Sequence, residues 1–143
     1  MRLAFDIGGV LSKYPEYFRP LIVNLMDAGV EVFVITDMHP REEVIQTLAM
    51  NDFDRIPAEN VFCADFTAHG EGCKMVLLEE LKIDMFFDDF IGYMTPGGSP
   101  IRLLVMPDHE RPYWADTWKV PPGKDLEFGR RRFTKRQVKG RDV

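Results

Sequence analysis

The chain has 143 residues, of which 45% are hydrophobic and 29% charged, and a formal net charge of −5. This length suits a single domain that buries about 68–70% of the surface its unfolded form exposes. The composition excludes collagenous, disulfide-framework and wholly disordered classes, and no apolar run approaches the ~20 residues of a membrane span.

The first predicted strand is Leu3-Ala4-Phe5, and it closes on Asp6-Ile7-Gly8-Gly9-Val10-Leu11. A carboxylate at a strand end followed by two glycines puts an acid where the backbone can turn sharply and approach a ligand. Because this strand starts within three residues of Met1, no signal or transit peptide is expected. Ser12 then caps a predicted helix that carries Tyr14, Phe18, Leu21, Ile22, Leu25 and Met26 inward, with Gly29 just past its end. Val30 to Ile35 is a second strand, ending in Thr36-Asp37. A short helix opens at Pro40, with Glu42 and Glu43 at its positive end and Val44, Ile45 and Leu48 as its apolar stripe.

Residues 60–65 form a third strand. The Gly70-Glu71-Gly72 loop leads into a helix from about Lys74 to Lys82, with Met75, Leu77, Leu78 and Leu81 apolar. Ile83 to Phe87 is a fourth strand ending in Asp88-Asp89, and Ile101 to Met106 is a fifth. Strands alternating with helices predict a doubly wound parallel α/β sheet in three layers. Tyr93 to Pro100 is a Gly/Pro loop at the same rim. Trp114 and Trp118 have the spacing of one helical face and are expected to cover an edge of the core. From Pro121 the pattern is that of a linker and basic tail, with a short helix around Lys135.

Residues 1–118 carry 9 basic and 20 acidic side chains, whereas residues 119–143 carry 9 and 3, a net −11 against a net +6. We therefore divide the chain into an α/β domain over 1–118 and a basic segment over 119–143. Such a segment suits nucleic acid or another polyanion, or folds back on the acidic body. Cys63 and Cys73 lack zinc-site or disulfide-framework spacing, and the pair His69 and Cys73, four apart in a Gly-containing loop, has an ordinary structural reading. A reduced, cytoplasmic protein with no membrane contact is expected. Its oligomeric state is open, a homo-oligomer included.

Four features fall in order at strand ends or helix starts: Asp6, Thr36, Lys74 and the pair Asp88-Asp89. Two like charges side by side are costly unless a cation or donors compensate, so that pair suits a metal site. In this order the features resemble the four motifs of the haloacid dehalogenase (HAD) superfamily. The stretch from Lys74 to Asp89 resembles that family's K-x-x-x-L-x-x-L-x-[IV]-D-x-x-[IF]-D-D segment, and the likeness spans about residues 3 to 106. The resemblance implies a HAD-like, Rossmann-type fold and a phosphohydrolase that works through an aspartyl-phosphate. Asp6 would be the nucleophile, with Thr36 and Lys74 assisting catalysis. Thr36, Asp37 and Lys74 would contact the phosphorylated substrate. Mg²⁺ would be held by Asp6, the Gly8 carbonyl, Asp88 and Asp89.

In the family pattern a second aspartate, the general acid–base, stands where this chain has Gly8. His39 is the nearest candidate to replace it, although a loop histidine before a proline is more often structural. Intervals of 30 residues from Asp6 to Thr36 and 38 from Thr36 to Lys74 leave no room for an inserted cap domain. A capless member with an open site suits large phosphorylated substrates. The competing reading is a non-catalytic HAD-fold binding module whose basic segment contacts nucleic acid or a protein partner.

Overall fold

The structure is a computed structural model, described here for residues 1–89, 101–105, 108, 110–122, 126–128 and 132–133. Five parallel strands form one sheet: β1 (Arg2–Phe5), β2 (Glu31–Thr36), β4 (Val61–Cys63), β5 (Met85–Asp88) and β6 (Ile101–Leu104), in the order β4-β2-β1-β5-β6. The helices are α1 (Pro15–Asp27), α2 (Arg41–Met50), α3 (Phe66–His69) and α4 (Cys73–Glu80). None of the described helices is long and apolar enough to cross a membrane.

Alternation along each strand sorts the core into two faces. Leu3, Phe5, Val32 and Val34 pack with Phe18 and Ile22 of α1 and Val44 and Leu48 of α2. Ala4, Phe33, Ile35 and Phe86 face the opposite side, against Met75 and Leu78 of α4. Helices on both faces of a parallel sheet make the three layers that the strand–helix alternation predicts. Phe5 and Phe87 stack at 4.5 Å with Phe18 edge-on to both, which ties α1 to the two central strands.

The chain leaves β1 leftward to β2 and β4, then crosses back to place β5 on the other side of β1. The strand order thus reverses between β1 and β5. Open α/β sheets form their ligand crevice beyond the carboxyl ends of the strands at such a reversal.

Two local expectations are corrected. Ser12 does not cap α1, which starts at Pro15 after Tyr14. Its hydroxyl instead accepts a hydrogen bond from the Gly9 N–H (3.0 Å) and donates to the Tyr113 carbonyl (3.1 Å). Trp114 and Trp118 do not lie on a helix; residues 110–122 run as turns and bends. Both indoles are nevertheless buried in the α1/α2 face of the core, with ring centroids 6.0 Å apart.

That segment is a strap pinned at both ends. Arg111 donates from Nε to the Lys13 carbonyl (2.8 Å), pairs with Glu16 and lies over the rings of Tyr14 and Tyr17. At the far end the buried Asn51 side chain clamps Lys119, accepting from its N–H and donating to its carbonyl, each at 2.8 Å. Part of the basic C-terminal segment joins the body too. Val120 is buried in the core. β7 (Leu126–Phe128) pairs antiparallel with β3 (Met38–His39), and β8 (Arg132–Phe133) pairs with β7. The Tyr93–Pro100 loop and the expected helix around Lys135 lie outside the described residues.

Candidate functional site

Asp6 follows β1, Asp88 ends β5, and Asp89 comes next, so three carboxylates meet where the sheet order reverses. Each offers an oxygen within 4.8 Å of the others. Lys74, the second residue of α4, enters from the opposite face of the sheet. Its ammonium lies 3.0 Å from Asp6 Oδ1 and 3.1 Å from Asp88 Oδ2. Lys74 and Asp88 are fully buried and Asp6 is nearly so. A buried ammonium at a helix N-terminus opposes the helix dipole and loses its hydration, so the two carboxylates are what hold it there. Asp88 is further committed, since its Oδ1 accepts the Asp89 backbone N–H at 2.8 Å.

The acid cluster is short of positive charge. Burial pushes the Asp6 carboxyl well above its ordinary value; Lys74 pulls it down, and Asp88, Asp89 and Asp37 push it up again. Asp89 is raised to about 7, by burial first and by its neighbour Asp88 second. Three hard oxygen donors with uncompensated charge fit a divalent cation such as Mg²⁺, which favours carboxylates and carbonyls and keeps several waters. Asp6 and Asp89 are the two whose charge such an ion would stabilise. Asp88 is already spent on Lys74 and the backbone.

Thr36 ends β2, the strand beside β1, Asp37 follows it, and both are buried. The Thr36 hydroxyl oxygen accepts the Met38 N–H at 3.2 Å, which leaves its proton available to a ligand at the rim. Asp37 is near enough to raise both Asp6 and Tyr113. His39 is committed elsewhere: its Nε2 lies 3.0 Å from the Ala64 carbonyl oxygen, anchoring the loop after β2 to the end of β4. The cysteines supply no nucleophile. Burial pushes the Cys63 thiol up to about 11 and raises Cys73 as well, so neither forms a reactive thiolate near neutral pH.

The residue that sequence reasoning missed is Tyr113. The Gly8-Gly9 turn carries its ring: a Cβ at Gly8 would lie 2.6 Å from the Tyr113 hydroxyl oxygen and 3.3 Å from Cε1 and Cζ. Gly8 itself has ordinary backbone angles (φ −63°, ψ 125°), so space and not backbone conformation excludes a side chain there. Gly9 is excluded on both counts. Its φ is +75°, and a Cβ would overlap Asp89 Oδ2. Burial, with Asp89, Asp6, Asp88 and Asp37, raises the Tyr113 phenol above its ordinary value and keeps it a neutral donor. Nothing in the residues around position 113 marks it, because it has neither strand nor helix periodicity. The one available signal was Gly8, an empty position that some other side chain must fill.

Comparison with known proteins adds nothing to this geometry: no family model, curated protein or solved structure matches the chain.

Proposed function

We propose that this chain is a capless, HAD-like phosphohydrolase that uses Mg²⁺ and cleaves phosphomonoesters through an aspartyl-phosphate on Asp6. The observation that carries the reading is the Lys74 ammonium, buried between Asp6 and Asp88 with Asp89 alongside, at the reversal point of a parallel sheet. A structural ion pair needs one carboxylate, whereas this lysine has two and a third acid beside them.

The chemistry assigns each residue a task. Asp6 attacks phosphorus, the P–O bond to the leaving alcohol breaks, and the bond electrons depart with that oxygen. Water then attacks the phosphoryl group on Asp6, releasing inorganic phosphate and the free carboxylate. Lys74 fixes the Asp6 carboxylate and offsets the charge of the phosphoryl oxygens, while Asp88 orients Lys74. The Thr36 hydroxyl donates to a phosphoryl oxygen, and Asp37 lines the same end of β2. Mg²⁺, held by Asp6, Asp89 and the Gly8 carbonyl with Asp88 in support, would neutralise the repulsion between the attacking carboxylate and the phosphate. With Gly8 in the place of an acid, substrates with weakly basic leaving oxygens (aryl or acyl phosphates) are favoured over alkyl phosphates. The missing cap suits large phosphorylated substrates, and β7 brings the basic segment alongside β3, next to Thr36 and Asp37.

A screen with Mg²⁺ over nucleotides, sugar phosphates, aryl phosphates and phosphorylated nucleic-acid ends tests the reading. Turnover should appear and should fall by about 10⁴-fold or more in Asp6→Asn. That variant should melt no lower than wild type, because it removes a costly buried charge and leaves Lys74 paired with Asp88. Undiminished hydrolysis by Asp6→Asn removes the mechanism. The second reading is the non-catalytic binding module, favoured by the Tyr113 ring in the space an acid–base side chain would need. Folded wild type that is inert across the screen yet binds nucleic acid through residues 119–143 selects it.

A further inference from the structure

We infer that Tyr113 is part of the substrate site, its hydroxyl donating a hydrogen bond to a tetrahedral oxyanion seated between Asp6, Lys74 and Thr36. This rests on the reading that a phosphoryl group binds at that rim, and adds to it a residue far along the chain. Tyr113 lies on the strap, roughly a hundred residues from the Gly8-Gly9 turn it covers.

The geometry argues for a built position. The Tyr113 carbonyl accepts from the Ser12 hydroxyl, and two residues on the Ala115 N–H donates to the Ser12 carbonyl at 2.8 Å. Ser12 also holds the Gly9 N–H, so one side chain fixes both the turn and the strap above it. On the other side the ring meets Trp114, which is buried. The backbone under Tyr113 is therefore fixed to the Gly8-Gly9 turn, and the ring lies between that turn and Trp114. Its hydroxyl donates no hydrogen bond to another described residue. Placed over Gly8 beside the rim acids, the phenol offers what a phenylalanine lacks, a donor for an anion bound there.

The alternative is packing alone, with the ring as filler over two glycines. Hydroxyl and ring are separable by Tyr113→Phe. Orthovanadate, a tetrahedral oxyanion, serves as the probe, titrated by calorimetry into wild type and variant with Mg²⁺ present. A lost hydrogen bond to a charged group predicts about tenfold weaker vanadate binding in Tyr113→Phe, with the melting temperature close to wild type. Should that variant fail to fold, Gly8→Ala takes its place. Its Cβ displaces the hydroxyl without removing it and should weaken vanadate binding likewise. Combining Gly8→Ala with Tyr113→Phe should relieve the stability loss of Gly8→Ala, since the 2.6 Å contact is to the hydroxyl.

Equal vanadate affinity in wild type and Tyr113→Phe, or no vanadate binding by wild type, overturns the inference. If wild type turns over with an absolute need for Asp6 while Tyr113→Phe matches it in affinity, only this inference falls. If vanadate binding depends on Tyr113 but no phosphate ester is ever cleaved, the inference stands and the phosphatase reading falls.

Discussion

The carboxylate rim and the strap from residue 110 to 122 meet over Gly8 and Gly9, but different forces hold them. At the rim a buried cation and buried acids are locked to the ends of hydrogen-bonded strands, and their stability depends on charge balance. The strap has no backbone ladder of its own. It is held by two indoles in the core, an Asn51 clamp, the Ser12 bonds and an Arg111 pin, none of which involves the rim carboxylates. The rim is thus the electrostatically poised part, and the strap supplies, through the Tyr113 ring, an uncharged roof fixed by shape.

The sharpest way to break this contrast is to remove one anchor from each. Lys74→Met leaves Asp6 and Asp88 buried without their cation and should cost about 3–5 kcal/mol at neutral pH. Trp114→Ala should cost a similar amount, about 3–5 kcal/mol, by leaving a cavity. The two losses should part company on acidification. The Lys74→Met penalty should shrink as Asp6 and Asp89, which burial already raises, take up protons, whereas that of Trp114→Ala should stay constant. Chemical denaturation at about pH 5 and about pH 8 measures this. Equal pH dependence would dissolve the distinction.

The contact between the two regions can be tested by forcing an acid into it. Gly8→Asp alone drives its Cβ into Tyr113 and should lower both stability and turnover. With Tyr113→Ala making room, the same aspartate should fold and, compared with Tyr113→Ala alone, should raise alkyl-phosphate turnover more than aryl-phosphate turnover, by up to about 10²-fold. An unstrained Gly8→Asp single variant would show that the roof is looser than its contacts indicate.

A smaller effect should appear in the wild type on simple titration without divalent cations. Asp89 titrates near 7 in the fold against an ordinary value of 3.8, and Asp6 is shifted the same way. Between those values the native state holds protons that the unfolded chain has released, so stability should fall as pH rises from about 4 to about 7. Mg²⁺ binds the ionised acids and should raise the melting temperature more at about pH 8 than at about pH 5. A Mg²⁺ effect that is flat with pH would separate the ion from this cluster. Smallest of all, His39→Ala should cost about 1 kcal/mol through its lost bond to Ala64 and leave leaving-group preference unchanged. A changed preference would restore His39 as the acid.

The sheet and most of its rim were legible from local pattern. Apolar strands with period two, helices with period 3.6 and polar residues at their ends were enough to put Asp6, Thr36 and Asp88-Asp89 at strand ends and Lys74 at a helix start. In a parallel α/β sheet the carboxyl ends of the strands and the starts of the helices that follow them share one rim. The strap was not legible. Tyr113 has no period to betray it; the burial of Trp114 and Trp118 was legible, but their spacing suggests a helix that does not form. The partners that hold the strap, Ser12 and Asn51, lie 101 and 68 residues away from the backbone they bond. Ser12 had a plausible local role as a helix cap, and tertiary contact overrode it. Only the folded chain decides which side chain fills the space that a glycine leaves, because that depends on which distant segment is carried over it.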